Sequence, residues 1–540
     1  MSGLGTLLGQ RLRRDWLQLT LWIVGTVVLA FAGLGGVSAS YGTEQDRVGI
    51  LAAVMANPVI LLFRGLPSGT DSDAFIVFLL FPWLAMLAAF MSTFLAVRHT
   101  RGDEETGRLE LIEATPAARW TPTLATIIHG LLANIVLGIL VAAAFAAGGA
   151  ALEGSLLVGF ATAAVGVTFL GVGMLSSQLM RTSRGANSLS VWVLLAAFVL
   201  AGVGNALGTP SDDLTRIESS WLTWTSPFGW AENARAFDEN LWWPVLLCVV
   251  AFAALVGVAV ALQAPRDLGE SVVAERRGRA DAHGGLSSTT ALVLRLSTGS
   301  TIGWMAGALI VGALSTSLGS VVDQIGGENP AIADILNSIA SEGDLEQSIV
   351  AVFFTMVGLL AACAAIQTVA RARQEEAHGT AEAVLATPVA RVRWLADFVV
   401  IGFVAVVLTC GAAWLGAAAG AARNSETADE LMRAAGVAAA GQVVAASVFL
   451  VLTALVFTLA PRLTMPVAWA VVVVAIVLGL FGPLFGFPDT LVNASPFAVT
   501  PVLDGTQIDP RGVWWLVGVV VAGGAASVLL MRRRELAADG

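Results

Sequence analysis

The sequence predicts an all-α polytopic membrane protein with about twelve transmembrane helices, arranged as two parallel six-span repeats. Three observations predict it: 56% of residues are hydrophobic against 13% charged, twelve apolar runs are long enough to cross a bilayer, and a charged motif of the first half returns in the second. With a mean hydropathy of +0.80, a chain of 540 residues has too little polar surface to cover a water-soluble globule.

Lipid offers no hydrogen bonds, so a crossing segment must satisfy its own backbone, as a helix of about 20 apolar residues does. The first run, Trp16–Val37, follows Arg13 and Arg14. Its end, Val37-Ser38-Ala39, resembles a signal-cleavage site, but at roughly 20 residues it exceeds the apolar region of a signal peptide and is read as a retained span. The runs Ala74–Val97 and Pro122–Ala147 flank the longest charged loop of the first half. Ser155–Met180, Leu189–Leu207 and Trp243–Leu262 complete that half. The stretch that follows, with Pro265, Arg276, Arg277, Arg279 and Gly284-Gly285, is polar and breaker-rich, as an interdomain linker is. The second half repeats the plan with Ile302–Val322, Ser348–Ala370, Trp394–Ala421, Ala434–Ala460, Met465–Phe485 and Val513–Met531. The expected organisation is a first permease-like half over 1–263, a linker over 264–300 and a second half over 301–540.

Arginine placement sets the orientation, because short Arg-rich loops stay in the cytoplasm. With the N-terminus inside, 22 of the 29 basic residues, all Arg, fall on the cytoplasmic side, among them Arg98, Arg101, Arg371, Arg373 and Arg532 to Arg534. Of the 39 acidic residues, 23 fall outside. Both termini are therefore expected in the cytoplasm, and the chain in the plasma (cytoplasmic, inner) membrane.

The second half carries the imprint of the first. Arg101 to Arg119, RGDEETGRLELIEATPAAR, lies over Arg373 to Arg391, RQEEAHGTAEAVLATPVAR, at an offset of 272 with nine identities in 19 positions. Ser226-Pro227-Phe228 is echoed by Ser495-Pro496-Phe497, each followed by a Trp pair, Trp242-Trp243 and Trp514-Trp515. A weaker echo joins Leu12, Arg13, Trp22 and Gly25 to Leu294, Arg295, Trp304 and Gly307. Six spans per half is an even number, so both halves enter the membrane in the same direction.

Each half places its longest charged insertion between its second and third spans. In the first, Asp103, Glu104 and Glu105 precede Leu109, Leu111 and Ile112, and Thr115-Pro116 ends the element. That pattern reads as a short helix on the membrane surface, with carboxylates at its positive end and proline as its stop. Retention of Gly, Glu and Thr-Pro at fixed spacing in both copies points to one repeated partner.

The motif RHTRGDEETGRLELIEATP, its diverged copy and the twelve-span layout resemble permease subunits of type-2 ABC exporters. The chain is most similar to the actinobacterial fused-dimer group described as tetronasin-like or polyketide-antibiotic exporters. The resemblance implies that each loop forms a coupling helix docking on a separate ABC ATPase subunit, two copies per chain, which would bind ATP and Mg; no cofactor is expected in this chain. By position, Glu104, Glu105, Gly107, Arg108, Glu110, Thr115 and Pro116 would dock in the first half, and Glu375, Glu376, Gly379, Glu382, Thr387 and Pro388 in the second. Ala377, His378 and Thr380 replace Glu105, Thr106 and Arg108, so the two docking sites are expected to be unequal. The resemblance also places re-entrant helices between the fifth and sixth spans, where Trp224, Pro227, Phe228, Trp230, Pro496 and Phe497 are candidate outer-gate residues; Trp and Phe there also suit interfacial anchoring. Leu4 to Asp15 resembles the amphipathic helix that leads into such permeases.

The expected cargo is a hydrophobic or amphipathic small molecule, an antibiotic or drug, because the spans carry few charges. The alternatives are a proton-coupled secondary transporter of the twelve-span kind and an ABC exporter of lipid or polymer. Without lysine the chain has no P-loop of its own and no Schiff-base chemistry. His99, His129, His283 and His378 are scattered with no metal or triad spacing, so no catalytic or metal-ligating set is expected. Cys248, Cys363 and Cys410 lie in apolar runs as small buried hydrophobes. His129, Asn134, Gln367, Asp397 and Gln442 are isolated polar groups in or near spans, and one histidine with one distant aspartate makes no proton relay. Gly416 and Gly420 form a G-x-x-x-G in the ninth span. The arginines form no nucleic-acid-binding surface.

Overall fold

The computed structural model describes residues 2–534 apart from 57–60, 62–63, 116–117, 119, 274–283, 318–344, 423–427, 482–487, 505–506 and 511. Pro116, the centre of the expected linker and the ends of the seventh and eleventh expected spans lie outside the described residues. Within them are twelve helices long and apolar enough to cross a membrane. The protein is an all-α polytopic membrane protein.

The chain divides into two compact units, Met1–Arg277 and Gly278–Gly540. In the first, the long helices are α1 (Ser2–Ser40), α2 (Ser72–Val97), α3 (Thr121–Ala147), α4 (Leu152–Leu179), α5 (Ser183–Ala206) and α6 (Trp243–Gln263). Short polar caps set several of their starts: the Asp71 carboxylate accepts from Asp73 N at 2.9 Å before α2, and the Thr182 hydroxyl accepts from Gly185 N at 3.1 Å before α5. Pro122 and Pro244 open α3 and α6, where a missing N–H costs nothing. Helix α4 is the most enclosed of the unit, and Leu157, Val165, Phe169 and Leu170 on it form the core with Leu84, Leu137 and Phe145.

The second unit holds α7 (Thr289–Ser317), α8 (Leu345–Ala377), α9 (Arg391–Ala421), α10 (Ala428–Leu459), α11 (Thr464–Ile476) and α12 (Val513–Met531). Its core gathers Phe354, Ala361, Ile366, Val406, Ala413 and Phe449. The G-x-x-x-G of α9 faces α7 at backbone contact distance: a Cβ on Gly416 would overlap the Leu309 carbonyl, and one on Gly420 the Ala313 carbonyl. Small residues let the two backbones meet, as in helix pairs packed within lipid.

Three elements differ from the expectation. Helix α1 is continuous for 39 residues, about 58 Å at 1.5 Å per residue, so the amphipathic lead-in and the first span are one rod. The second span continues past Val97 through a π turn at Arg98–Gly102 into Asp103–Glu105, and its counterpart α8 runs on to Ala377. Charged composition suggested a stop there; ion pairs described below absorb those charges instead. Helix α7 opens at Thr289, inside the stretch expected as linker, because the Thr289 and Thr290 hydroxyls both donate to Asp397, at 2.5 and 2.7 Å, and fix its first turn. Between the fifth and sixth helices of each unit lies a small antiparallel ribbon, β1 (Thr209–Pro210) with β2 (Ile217–Glu218) and β3 (Val502–Asp504) with β4 (Gln507–Asp509).

Candidate functional site

The surface segments after α2 and α8 share one local build. The chain leaves the long helix and turns on a left-handed glycine, Gly107 at φ 69° and Gly379 at φ 73°. A six-residue helix follows, Arg108–Glu113 in the first unit and Thr380–Leu385 in the second. Gly107 N donates to Glu104 O and Gly379 N to Glu376 O, both at 3.1 Å. The Thr115 hydroxyl donates to Ile112 O at 2.6 Å and the Thr387 hydroxyl to Val384 O at 2.5 Å, closing each helix. Every one of these pairs sits at the offset of 272 that aligns the sequences. Glycine is required at the turn because an L side chain in this region costs about 1–2 kcal/mol.

Each segment is held at its root by a buried ion-pair clamp. One guanidinium nitrogen of Arg266, just past α6, lies 3.0 and 2.9 Å from the two oxygens of Glu104; Arg101 adds a contact of 2.9 Å and Gly269 N another of 2.7 Å. In the second unit Arg534, just past α12, reaches both oxygens of Glu376 at 2.6 and 2.7 Å, with Arg373 at 3.8 Å. Arg534 also lies over the Phe457 ring, 4.4 Å from its centroid, a cation–π contact. The second span's end is thus tied to the sixth span's end within each unit. From sequence alone Arg266 is not singled out and Arg534 counts only as a cytoplasmic charge, although a basic residue just after the last span of both halves was the available signal.

The clamps sort the expected docking residues. Glu104 and Glu376 are buried and engaged within the chain. Glu105 caps the start of α5, accepting from Ser183 N at 2.9 Å and from the Ser183 hydroxyl, while Glu375 accepts from the Thr380 hydroxyl at 2.5 Å. Arg108, Glu110, Leu111 and Thr115 are exposed in the first segment, as are Glu382, Ala383, Thr387 and Pro388 in the second. Ala381 is buried beneath the second helix in a cluster with Trp394 and Phe398.

Of the expected outer-gate residues, Phe228, Pro496 and Phe497 are buried within their own units, and Trp224, Pro227 and Trp230 are half-buried. The Ser226 hydroxyl donates to Ala197 O at 2.6 Å and accepts from Phe228 N at 3.2 Å, capping the helix Pro227–Glu232. Phe228 meets Phe169 at 5.6 Å between centroids. The echo is structural too: the Ser495 hydroxyl donates to Ala475 O at 2.8 Å, and Phe497 stacks on Phe449 at 5.0 Å. Trp224 stacks on Trp243 at 5.1 Å, and Trp230 Nε1 donates to Trp224 O at 2.5 Å. Pro227 starts its helix and Pro496 is buried. Glu232 is enclosed with Asn205 Nδ2 as its donor at 2.7 Å, and burial pushes its carboxyl up to about 8.

Two of the four histidines scattered in sequence come together in space, while His378 stays apart and His283 lies outside the described residues. His99, His129 and Asp15 meet where α1, the π turn and α3 converge, and the two imidazoles stand edge to face at 5.3 Å. His129 Nε2 lies 3.2 Å from Asp15 Oδ2, which also contacts His99 Nε2. Arg98 pairs with Asp15 at 3.3 Å, Arg14 with Asp103 at 2.8 Å, and Arg11 donates to Pro122 O, the Thr126 hydroxyl and His99 O at 3.1, 2.8 and 3.2 Å. Asp397, expected as an isolated group, is the anchor of α7 and also contacts Arg393 at 3.3 Å. Asn134 donates to the Ser92 hydroxyl at 2.9 Å, and Gln367 accepts from Ser300 and Trp304 at 2.5 and 3.1 Å.

Residues 286–532, nearly the whole second half, match the family described as multidrug efflux system permease Rv1217c, C-terminal domain. Over 519 residues the chain is 34% identical to the multidrug efflux system permease protein Rv1217c of Mycobacterium tuberculosis (strain ATCC 25618 / H37Rv), covering 94% of this chain and 90% of that protein. This chain belongs to the multidrug efflux system permease family. It is a multi-pass membrane permease, a transport subunit rather than an enzyme, and its doubled surface segment and twelve long helices are to be read in that light.

Proposed function

We propose that this permease is the membrane-spanning subunit of an ATP-driven exporter, and that its two clamped surface segments dock two copies of a separate ABC ATPase. The observation that carries the reading is the repeated build: left-handed glycine, six-residue helix, Thr closure and Arg–Glu clamp recur in both units at matching places. A segment that only joined two spans would need none of these four features twice. Arg108, Glu110, Leu111 and Thr115, with Glu382, Thr387 and Pro388, form the docking faces. The clamps carry force from each face into the second and sixth spans of its half. ATP and Mg bind to the partner chain, and differential binding between two arrangements of the spans drives transport. The cargo is a hydrophobic or amphipathic small molecule, drug or antibiotic, in keeping with the relative's name. On this reading both segments and both termini lie in the cytoplasm, which the arginine distribution supports.

Affinity purification of the tagged permease from its native membranes tests this. The reading expects a co-purifying ATPase at about two copies per permease and vanadate-sensitive ATP hydrolysis. A permease that purifies alone and moves solute on a proton gradient without ATP would overturn it in favour of a secondary transporter.

A further inference from the structure

We propose that Asp15, His99 and His129 form a binding site for one divalent transition-metal ion of the zinc class. The three side chains come from three different elements and are 3%, 2% and 1% exposed. One ligand atom from each lies within 4.8 Å of the other two. Around a four-coordinate zinc with bonds of about 2.0–2.1 Å, ligand atoms stand roughly 3.3 Å apart; His129 Nε2 and Asp15 Oδ2 already stand at 3.2 Å, whereas His99 Nε2 contacts Asp15 Oδ2 more closely and must draw back to admit the ion. Two imidazoles and a carboxylate, with the fourth position left to water, form an N,N,O ligand set that favours zinc, cobalt or nickel over magnesium or calcium.

Proton placement argues the same way. If both Nε2 atoms donate to Asp15 Oδ2, each ring carries its proton there, and each Nδ1 becomes a buried lone pair. Both Nδ1 atoms are buried without a hydrogen-bond donor. That of His99 faces Asp103 Oδ2 at 3.5 Å, an acceptor opposite an acceptor. A cation on the Nε2 side reverses the tautomer. His99 then carries its proton on Nδ1 and directs it at Asp103, the carboxylate–histidine–metal arrangement in which an outer carboxylate orients a metal-bound imidazole. Arg98, 3.3 Å from Asp15 Oδ1, holds the ligating carboxylate by its other oxygen.

The charges facing the cluster are Asp15 and Asp103 against Arg11 and Arg98, with Arg14 and Arg108 reaching Asp103 from the more exposed side. The carboxylates are already matched, so a dication adds uncompensated charge, and binding in the micromolar range is expected rather than the much tighter affinity of structural zinc. Among the described residues the cluster occurs once. At the repeat-related positions the second half has Ser297, Arg371 and Ile401, which cannot supply the same ligands. A bound ion would pin α1, α3 and the π turn together beside Glu104, at the root of the first surface segment.

The test is equilibrium dialysis of full-length, chelator-stripped permease against zinc, with bound metal counted by plasma mass spectrometry. One equivalent per chain at micromolar zinc is expected, weakened at least tenfold in His129→Gln and in Asp15→Asn and unchanged in His378→Gln. Cobalt added to the unmutated protein provides a readout independent of mutant folding: intense visible absorption typical of four-coordinate cobalt should grow to one equivalent and be displaced by zinc. No bound zinc, binding unaltered by His129→Gln, or a loss caused by His378→Gln would each overturn the proposal. So would a cluster whose only response is to pH, which would make it a proton-bearing network and not a metal site.

Discussion

Arg266 and Glu104, 162 residues apart in the chain, meet through one guanidinium nitrogen 3.0 and 2.9 Å from the two carboxylate oxygens. Their side chains are 9% and 6% exposed, so the pair lies outside the regime of weak surface ion pairs. Arg534 and Glu376 repeat the relationship across 158 residues. Taking two charges out of water is costly, and such pairs are justified by position more than by net stability. Here the position is the root of each proposed docking helix.

Glu104→Ala takes from Arg101 and Arg266 the carboxylate they share, and is expected to destabilise the first half by about 3–5 kcal/mol, seen as a lower midpoint of thermal unfolding and faster proteolysis around Arg108. Arg266→Ala leaves Glu104 with Arg101 and Gly269 N and is expected to cost less. The exchanged pair, Glu104→Arg with Arg266→Glu, should recover part of the loss. Equal stability of both single variants and the unmutated protein would show that the clamp bears no load.

The left-handed turns give a second expectation. No atom lies within 4 Å of a Cβ built on Gly107 or Gly379, so alanine there meets no clash and acts through backbone strain alone. Gly107→Ala and Gly379→Ala should each cost about 1–2 kcal/mol locally, with Asn tolerated better than Ala or Val. Global unfolding should barely change, while transport falls. A transport assay ranking Gly, Asn, Ala and Val in that order would match; no dependence on the residue would not.

Much of this was legible in the sequence, and the reasons are specific. Apolar length alone located the twelve long helices, because a span must bury its backbone in itself. The offset of 272 located Gly107 and Gly379, since only glycine suits that turn. The clamps were not legible: Glu104 and Glu376 read as docking carboxylates, because a pairing across some 160 residues leaves no periodic trace. The same holds for His99 and His129, which converge with Asp15 only because the π turn and α3 face the start of α1. The helical start at Thr289 was hidden by a polar composition that Asp397 satisfies.

Glu232 supplies the pH dependence. Its folded-state carboxyl is pushed up to about 8 from an ordinary value of 4.5 by burial, so the folded protein holds a proton that the unfolded chain releases first. The stability associated with this neutral group is complete below pH 4.5 and is lost as pH rises through the window up to about 8. Glu232→Gln, which keeps the Asn205 contact without a titrating group, should flatten that decline between pH 5 and pH 8. Thermal unfolding of both proteins across the window checks it, and parallel curves would place the pH dependence elsewhere.

The most direct test of the docking account is capture of the ATPase by permease carrying Glu110→Arg, Glu382→Arg or both. Neither glutamate is in a clamp and both are exposed, so folding should be unaffected by the reversals. The account predicts partial loss of captured ATPase in each single variant, near-complete loss in the double variant, and loss of transport in step. Full capture and undiminished transport in a well-folded double variant would contradict it.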